Sequence, residues 1–174
     1  MKKRFFLLLG ALALLAACGG SEPEVELIPD LIFTTADGER FSLYEDVFGD
    51  EKNKVLLMTS VAGWCPPCIQ EQAELKKLHK EFSDKGLYIL AAIFEAEVPY
   101  SKPDGNYVKN WVNRYELPYQ MVLDQDFVLS PYFQTERTPP LNMLVRAEDR
   151  EILLVTSGYD EQLIRSLLRA NLSE

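Results

Sequence analysis

The sequence predicts a single α/β domain, a sandwich in which helices cover a mixed central sheet. Two apolar runs, "KVLLMTSVA" (54–62) and "LYILAAIF" (87–94), are typical of strands that are buried on both faces. Helical periodicity follows each run, at 66–84 and at 104–116. The chain then ends in a hairpin pattern and a helix, so an antiparallel pair completes the alternation of strands and helices.

Shorter signals predict the other elements of a domain that spans 27–174. The segment "DLIFTTADGERFSL" (30–43) has two β-rich runs around an Asp-Gly pair, which indicates an N-terminal β-hairpin extension. The helix that begins at 66 is predicted to stop before Gly86. The later elements are, in order, a strand at 119–124, a helical turn at 127–133, strands at 141–145 and 151–157, and a helix at 160–172.

Residues 1–17 are predicted to be an export signal. A basic head (1–4) precedes the apolar run "FFLLLGALALLAA" (5–17), which is shorter than the roughly 20 residues that cross a membrane. The run continues into Cys18 as "LAAC", which resembles the lipobox of bacterial lipoproteins. This resemblance implies cleavage before Cys18 and acylation of that residue. An ordinary signal peptide with a chance cysteine is the alternative.

The mature chain is expected to be held at a membrane by lipid alone. Cleavage removes three of the 18 basic side chains and none of the 27 acidic ones, so a chain of formal charge −9 becomes more acidic still. No basic run is present, which argues against nucleic acid and against electrostatic docking on anionic lipid. Residues 18–26 then form a flexible acidic tether. Gly19 stands where an aspartate would resemble an inner-membrane retention signal, so the outer membrane, facing the periplasm, is favoured.

Cys65 and Cys68 carry the predicted chemistry. They lie between a buried strand and a helix, where unpaired N–H groups and the helix dipole are expected to lower a thiol pKa below about 8.5. Pro66 and Pro67 suit the first helical turn because its residues need no intrahelical donor. Both sulfurs then share one helix face and can close and reopen a disulfide. Trp64 can cover the sulfurs and offer partners an apolar surface.

Other uses of the cysteine pair fit less well. A structural disulfide that encloses two residues removes little entropy from the unfolded chain. A zinc site needs about four ligands, whereas the mature domain offers two cysteines and one histidine. Two alternatives stay open: a copper-binding delivery module, and a peroxiredoxin-like peroxide reductase, although the sequence lacks a Pro-x-x-x-Thr-x-x-Cys motif. No metal and no other cofactor is expected to be needed.

The segment "WCPPC" (64–68), with Glu71 three residues later, resembles the active site of the thioredoxin superfamily. "PDLIFTTADGERFSL", "VLDQDF" and "TPPLNMLV" extend the likeness to its exported TlpA/ResA-like thiol–disulfide oxidoreductases, over nearly the whole mature chain. The resemblance implies a thioredoxin-like sandwich with a cis-proline facing the cysteines. Pro140 matches that position better than Pro139 by its distance from "MLV", and it would present backbone to a substrate strand.

A carboxyl that handles protons is harder to assign. The buried acid of thioredoxins, six residues before the first cysteine, falls here on Thr59. TlpA/ResA-like proteins often supply a glutamate from the end of the next strand, which implies Glu95 or Glu97 in this chain. The alternative is that both are solvated acids at a strand end.

The expected protein is therefore a lipid-anchored periplasmic thiol–disulfide oxidoreductase. Cys65 leads the helix, so it is expected to be the more exposed, attacking sulfur, with Cys68 as the resolving thiol. Two kinds of partner are expected: exported proteins that contain cysteine, and a redox partner that recycles the Cys65–Cys68 pair. The motif serves both reductants and oxidants, and the family resemblance favours a reductant.

Overall fold

The computed structural model describes residues 25–133 and 138–172. The strands are β1 (Ile32–Thr34), β2 (Arg40–Ser42), β3 (Val55–Ala62), β4 (Leu87–Glu95), β5 (Gln120–Leu123), β6 (Leu141–Arg146) and β7 (Ile152–Ser157). The α-helices are α1 (Pro66–Phe82), α2 (Gly105–Tyr115) and α3 (Glu161–Asn171). Shorter helical turns occupy Leu43–Val47, Ser83–Lys85 and Ser130–Tyr132. The predicted α/β sandwich with a mixed sheet is confirmed.

The seven strands form one sheet in the order β2-β1-β5-β4-β3-β6-β7. β3 and β4 are parallel, β4 and β5 are parallel, and β6 runs antiparallel to β3. All eight residues of β3 are buried, as its unbroken apolar run predicts. Because β3, β4 and β5 run the same way, their carboxyl ends lie along one edge of the sheet. We call this the carboxyl edge; it is where Ala62, Glu95 and Leu123 end their strands.

Apolar clusters cover both faces of the sheet, and β3 contributes to both by alternation. Val55 and Leu57 belong to the cluster that contains the buried faces of α1, α2 and α3. Leu56 and Met58 belong to the opposite cluster, which the N-terminal hairpin and the segment after it help to fill. Thr59 lies two residues after Leu57 on β3, so its side chain is on the same face of the sheet as Val55 and Leu57 and points toward α1.

The N-terminal hairpin is joined to the main sheet, which is a closer connection than the predicted extension implies. β1 and β2 pair antiparallel as predicted, and Thr34 also pairs with Leu123, which joins the hairpin to the main sheet. A π-helical turn at Leu43–Val47 follows the hairpin and was not expected. Five residues are too few to show helical periodicity, and the turn is capped instead by Ser42, whose side chain accepts the N–H of Glu45.

Among residues 25–133 and 138–172, no helix is both long enough and apolar enough to cross a membrane. The predicted signal peptide (1–17) and Cys18 lie outside the described residues, as does most of the tether at 18–26.

Candidate active site

Cys65 is the N-cap of α1 and follows directly on the carboxyl edge. Its backbone is extended (φ −95°, ψ 103°), and its Sγ accepts the N–H of Cys68 at 3.2 Å. Pro66 and Pro67 carry no N–H, so the N–H of Cys68 is the first that the helix can offer. One directed backbone donor and the helix dipole therefore stabilise negative charge on the Cys65 sulfur.

Cys65 and Cys68 are joined in a disulfide, with their Cα atoms 5.3 Å apart. Cys68 is 0 % exposed and Cys65 is 2 % exposed, so both sulfurs are buried in the oxidised protein, including Cys65, which was expected to be the more exposed of the two. The reason lies in the facing segment, because the carbonyl oxygen of Pro139 is 3.4 Å from Sγ of Cys65. A disulfide sulfur has no proton to donate, so this approach is a packing contact in the oxidised protein. The reduced thiol can donate there. The attacking role of Cys65 stays a prediction.

Pro140 lies in the segment that faces the disulfide, and the Pro139-Pro140 bond is cis, as the resemblance implied. Two hydrogen bonds hold this segment, one on each side. The N–H of Leu141 donates to Oγ of Ser60 on β3 at 2.9 Å. The N–H of Gly158, just after β7, donates to the carbonyl of Pro140 at 2.7 Å. The segment is thus fixed relative to both the central strand and the C-terminal hairpin.

Glu71 is a buried carboxyl in the first turns of α1, and only 3 % of the residue is exposed. Its Oε1 accepts a 2.6 Å hydrogen bond from Nδ2 of Asn142, and its Oε2 accepts one of 3.2 Å from Oγ1 of Thr59. Burial raises the pKa of Glu71 from 4.5 to about 7, although both hydrogen bonds favour the charged form. Glu71 can therefore hold or release a proton near neutral pH.

Sequence reasoning did not assign Glu71 a role, yet one signal was available. Glu71 lies three residues after Cys68, which puts both on one face of α1. The structure adds that Thr59 and Asn142 are paired across β3 and β6, so their side chains emerge side by side beneath that face. The carboxyl of Glu71 comes from the helix, yet it lies beside Thr59, the position on β3 at which thioredoxins carry an acid.

Glu95 and Glu97, the acids suggested by the sequence, lie at the carboxyl edge. Oε2 of Glu95 accepts a 2.6 Å hydrogen bond from Nε1 of Trp64, which fixes the indole beside the cysteines. Glu97 is exposed. The pKa of Tyr107 is raised by burial and then by the charge of Glu97. A proton-handling role for Glu95 or Glu97 stays a prediction.

Gln72 links the first turns of α1 to Tyr119, the residue directly before β5. Its Nε2 donates to the carbonyl of Cys68 at 2.7 Å, and its Oε1 accepts from the hydroxyl of Tyr119 at 2.8 Å. The pKa of Tyr119 is raised, first by burial and then by the charge of Glu71. The backbone that carries Cys68 is therefore held by buried polar contacts as well as by the helix.

The arrangement suits exchange of sulfur–sulfur bonds. A disulfide lies at a helix N-terminus, a buried carboxyl of raised pKa lies on the same helix face, and an indole flanks the pair. Within the described part of the chain, no group of three or more His, Cys, Asp or Glu side chains is placed to hold a metal ion.

Comparison with known proteins agrees with this geometry. The chain is 31 % identical over 109 residues to the thioredoxin-like protein YneN of Bacillus subtilis, covering 63 % of this chain and 58 % of YneN. It therefore spans less than two thirds of YneN. It is 24 % identical over 175 aligned residues to the thiol-disulfide oxidoreductase ResA of Halalkalibacterium halodurans, covering 96 % of this chain and 94 % of ResA.

The fold is shared with solved structures. A thiol:disulfide interchange protein of the thioredoxin family from Chlorobium tepidum superposes with a TM-score of 0.67 at 18 % identity, covering 88 % of this chain and all of that one. The model of the AhpC/TSA family matches residues 25–155, which include both cysteines, Glu71 and Pro140. The chain therefore belongs to the AhpC/TSA family and has a thioredoxin-like fold.

Proposed function

We propose that this protein is a membrane-anchored periplasmic thiol–disulfide oxidoreductase that reduces disulfides in exported proteins. The observation that carries the proposal is the Cys65–Cys68 disulfide at the start of α1, with buried Glu71 on the same helix face. The names of two relatives, a thioredoxin-like protein and a thiol-disulfide oxidoreductase, support it.

The reduced pair gives two electrons to a partner disulfide. The thiolate of Cys65 attacks one partner sulfur, forming a mixed disulfide and releasing the other partner sulfur as a thiolate that takes up a proton. Cys68 then gives its proton to the Glu71 carboxylate, and its thiolate attacks the sulfur of Cys65. The second partner sulfur leaves and is protonated, so the partner departs as a dithiol. The Cys65–Cys68 disulfide remains until a redox partner returns two electrons and two protons.

The surroundings of the sulfurs favour a reductant. A strong oxidant of this class is one whose reduced form is stabilised. Here the sulfur of Cys65 receives one backbone N–H at 3.2 Å, while the negative end of the Pro139 carbonyl lies 3.4 Å away. Burial of both cysteines also disfavours a charged sulfur. The carbonyl and the burial thus offset part of the stabilisation that the N–H and the helix dipole give to the Cys65 thiolate. The smaller the net stabilisation of the thiolate, the more readily the dithiol gives its electrons to the partner.

The anchor and the redox pair use different sulfurs in this proposal. The "LAAC" ending supports acylation of Cys18, whereas Cys65 and Cys68 lie in the folded domain. Cys18→Ser should therefore move an active protein from the membrane fraction to the soluble periplasmic fraction, which fractionation and a disulfide-reduction assay would show. Recovery of the variant in the membrane pellet would contradict the lipid anchor. It would also contradict the favoured location at the outer membrane, because that location depends on the anchor.

Trapping tests the proposed roles of the two cysteines. Cys68→Ser leaves the mixed disulfide without its internal resolving thiol, so partners should accumulate as adducts that dithiothreitol releases. Cys65→Ser is the matched control, because it keeps one thiol but removes the attacking one. Equal trapping by both variants would contradict the roles. If the purified protein consumed hydrogen peroxide with dithiothreitol while giving no adducts, the peroxide-reductase alternative would replace the proposal.

A further inference from the structure

Exposed apolar side chains follow β4 at the carboxyl edge, from which the segment that carries the cysteines also leaves. Among the described residues, the strand β4 is followed at the carboxyl edge by Val98, which is 65 % exposed, and Tyr100, which is 93 % exposed. Trp64, directly before Cys65, is 37 % exposed. Single exposed apolar residues are common on proteins, but three at the edge of the sheet that carries the reactive bond indicate a contact surface.

Val98 and Tyr100 are carried by a closed turn at residues 96–101, which we call the rim turn. The N–H of Ala96 donates to the carbonyl of Ser101 at 2.9 Å, and the N–H of Ser101 donates to the carbonyl of Val98 at 3.0 Å. Tyr100 has a φ of 67°, in the left-handed region that non-glycine residues seldom adopt. The turn thus keeps an aromatic side chain in solvent on a backbone conformation that carries some strain.

The rim turn is fixed to the segment that carries the cysteines. The N–H of Gly63 donates to the carbonyl of Glu95 at 2.9 Å, and the indole of Trp64 donates to the Glu95 carboxylate at 2.6 Å. The backbone of Ala96 and Glu97 packs so closely on Gly63 that a side chain there would overlap it. Trp64 and the rim turn therefore keep a set position relative to the disulfide.

We propose that Trp64 and the rim turn form the docking surface for the cysteine-bearing segment of a protein partner. This inference rests on the proposed function. A partner sulfur has to approach Cys65, which is itself covered, so the residues that flank the partner's cysteine come to lie on the rim. Aromatic side chains such as Trp64 and Tyr100 supply large contact area for little loss of conformational freedom.

The charges around the rim turn indicate which cysteine-bearing segments of a partner it would bind. Glu95, Glu97 and Asp104 lie in or beside the rim turn, with Lys102 as the basic residue in the same stretch, and the whole chain has a formal charge of −9. Complementary potentials favour encounter and suppress like-charged partners. The rim turn therefore selects a cysteine flanked by apolar and basic residues.

The test compares peptide probes with a small probe that cannot reach the rim. Two peptides carry one cysteine blocked as a mixed disulfide with thionitrobenzoate, one flanked by Leu and Lys and the other by Leu and Glu. The symmetrical thionitrobenzoate disulfide is the small probe, and release of the coloured thiol gives each rate constant. The variant is Val98→Ser with Tyr100→Ser. The matched control is Val25→Ser with Leu27→Ser, two exposed apolar residues at the far end of the molecule, where Leu27 bridges to Glu151.

The reduced wild-type protein should favour the basic peptide over the acidic one. The ratio of the basic-peptide rate to the small-probe rate should fall by about tenfold in the rim variant, the effect of losing a significant interface contact. The control variant should keep the wild-type ratio. An unchanged ratio in the rim variant, with normal reduction of the small probe, would overturn the docking surface and leave the proposed function standing.

Two further outcomes would also overturn the inference. Failure of the wild-type protein to reduce even the small probe would remove the proposed function and the docking surface with it. A concentration-dependent dimer in sedimentation that the rim variant abolishes would show instead that a second copy of this chain covers the surface.

Discussion

Asn142 on β6 donates a 2.6 Å hydrogen bond to the carboxylate of Glu71 on α1. The same amide nitrogen donates to the carbonyl of Gly158 at 3.2 Å, and the N–H of Gly158 donates to the carbonyl of Pro140. Two acceptors facing one nitrogen fix which way the amide points. Asn142 therefore links the buried carboxyl to the segment that lies against Cys65.

Asn142→Ala should raise the pKa of Glu71, because the variant loses a donor that favours the charged carboxylate. A hydrogen bond to a charged group is worth about 1.5–3 kcal/mol, so a rise of about one to two units is expected. The pH profile of disulfide exchange should move upward by the same amount. Burial raises the pKa of both Tyr119 and Tyr159, whose titrations Glu71 also influences, so neither should titrate in this range.

Thr59→Val is the matched control for that shift, since it removes the longer, 3.2 Å bond to the other carboxylate oxygen. We expect a shift in the same direction and of smaller size. If Asn142→Ala slowed exchange equally at every pH, the amide would be only a structural support. Glu71→Gln and Glu95→Gln, measured in the same assay, would show which carboxyl serves the cysteines; burial on the Cys68 face predicts Glu71.

Glu71 should also make stability depend on pH. Its folded pKa of about 7 lies above the unfolded value near 4.5, so the folded protein binds a proton that the unfolded chain has already lost between those values. The stabilisation is complete below about pH 4.5 and is lost as the pH rises to about 7. Relative to Glu71→Gln, the oxidised wild-type protein should lose about 3 kcal/mol across this window. Urea unfolding at a series of pH values measures the difference, and parallel curves for the two proteins would contradict it.

Gly63 occupies a site with no room for a side chain. A Cβ there would meet the hydroxyl of Tyr107 and lie 2.7 Å from the carbonyl carbon of Ala96 and 2.8 Å from the nitrogen of Glu97. Gly63→Ala should lower the free energy of unfolding by about 1–3 kcal/mol through overpacking, as measured by chemical denaturation. Adding Tyr107→Phe should recover only part of the loss, because both backbone contacts remain. A Gly63→Ala protein of wild-type stability would refute the close approach.

The sequence predicted the elements whose signals are local and long. The run at 54–62 became β3 (Val55–Ala62), and the helical pattern at 66–84 became α1 (Pro66–Phe82). The cysteine pair was placed correctly because proline and an apolar strand mark a strand-to-helix junction within a few residues. Such signals need no knowledge of how distant segments pack.

The polar contacts of the site depend on distant segments, and the sequence did not predict them. Glu71 meets Asn142 across 71 residues of chain, and that contact exists only because β6 pairs with β3. Likewise, Trp64 meets Glu95 across 31 residues because β3 and β4 end at the same edge. Even the burial of Cys65 comes from Pro139, which a separate part of the chain brings against it.

The reduction potential of the Cys65–Cys68 pair tests the central claim most directly. Equilibration of the purified protein with dithiothreitol or glutathione buffers, followed by tryptophan fluorescence, gives this value. A weakly stabilised thiolate predicts a potential at or below about −250 mV, near that of thioredoxin at about −270 mV. A potential above about −180 mV, in the range of protein disulfide isomerase and stronger oxidants, would contradict the reductant and show that the pair accepts electrons from its partners.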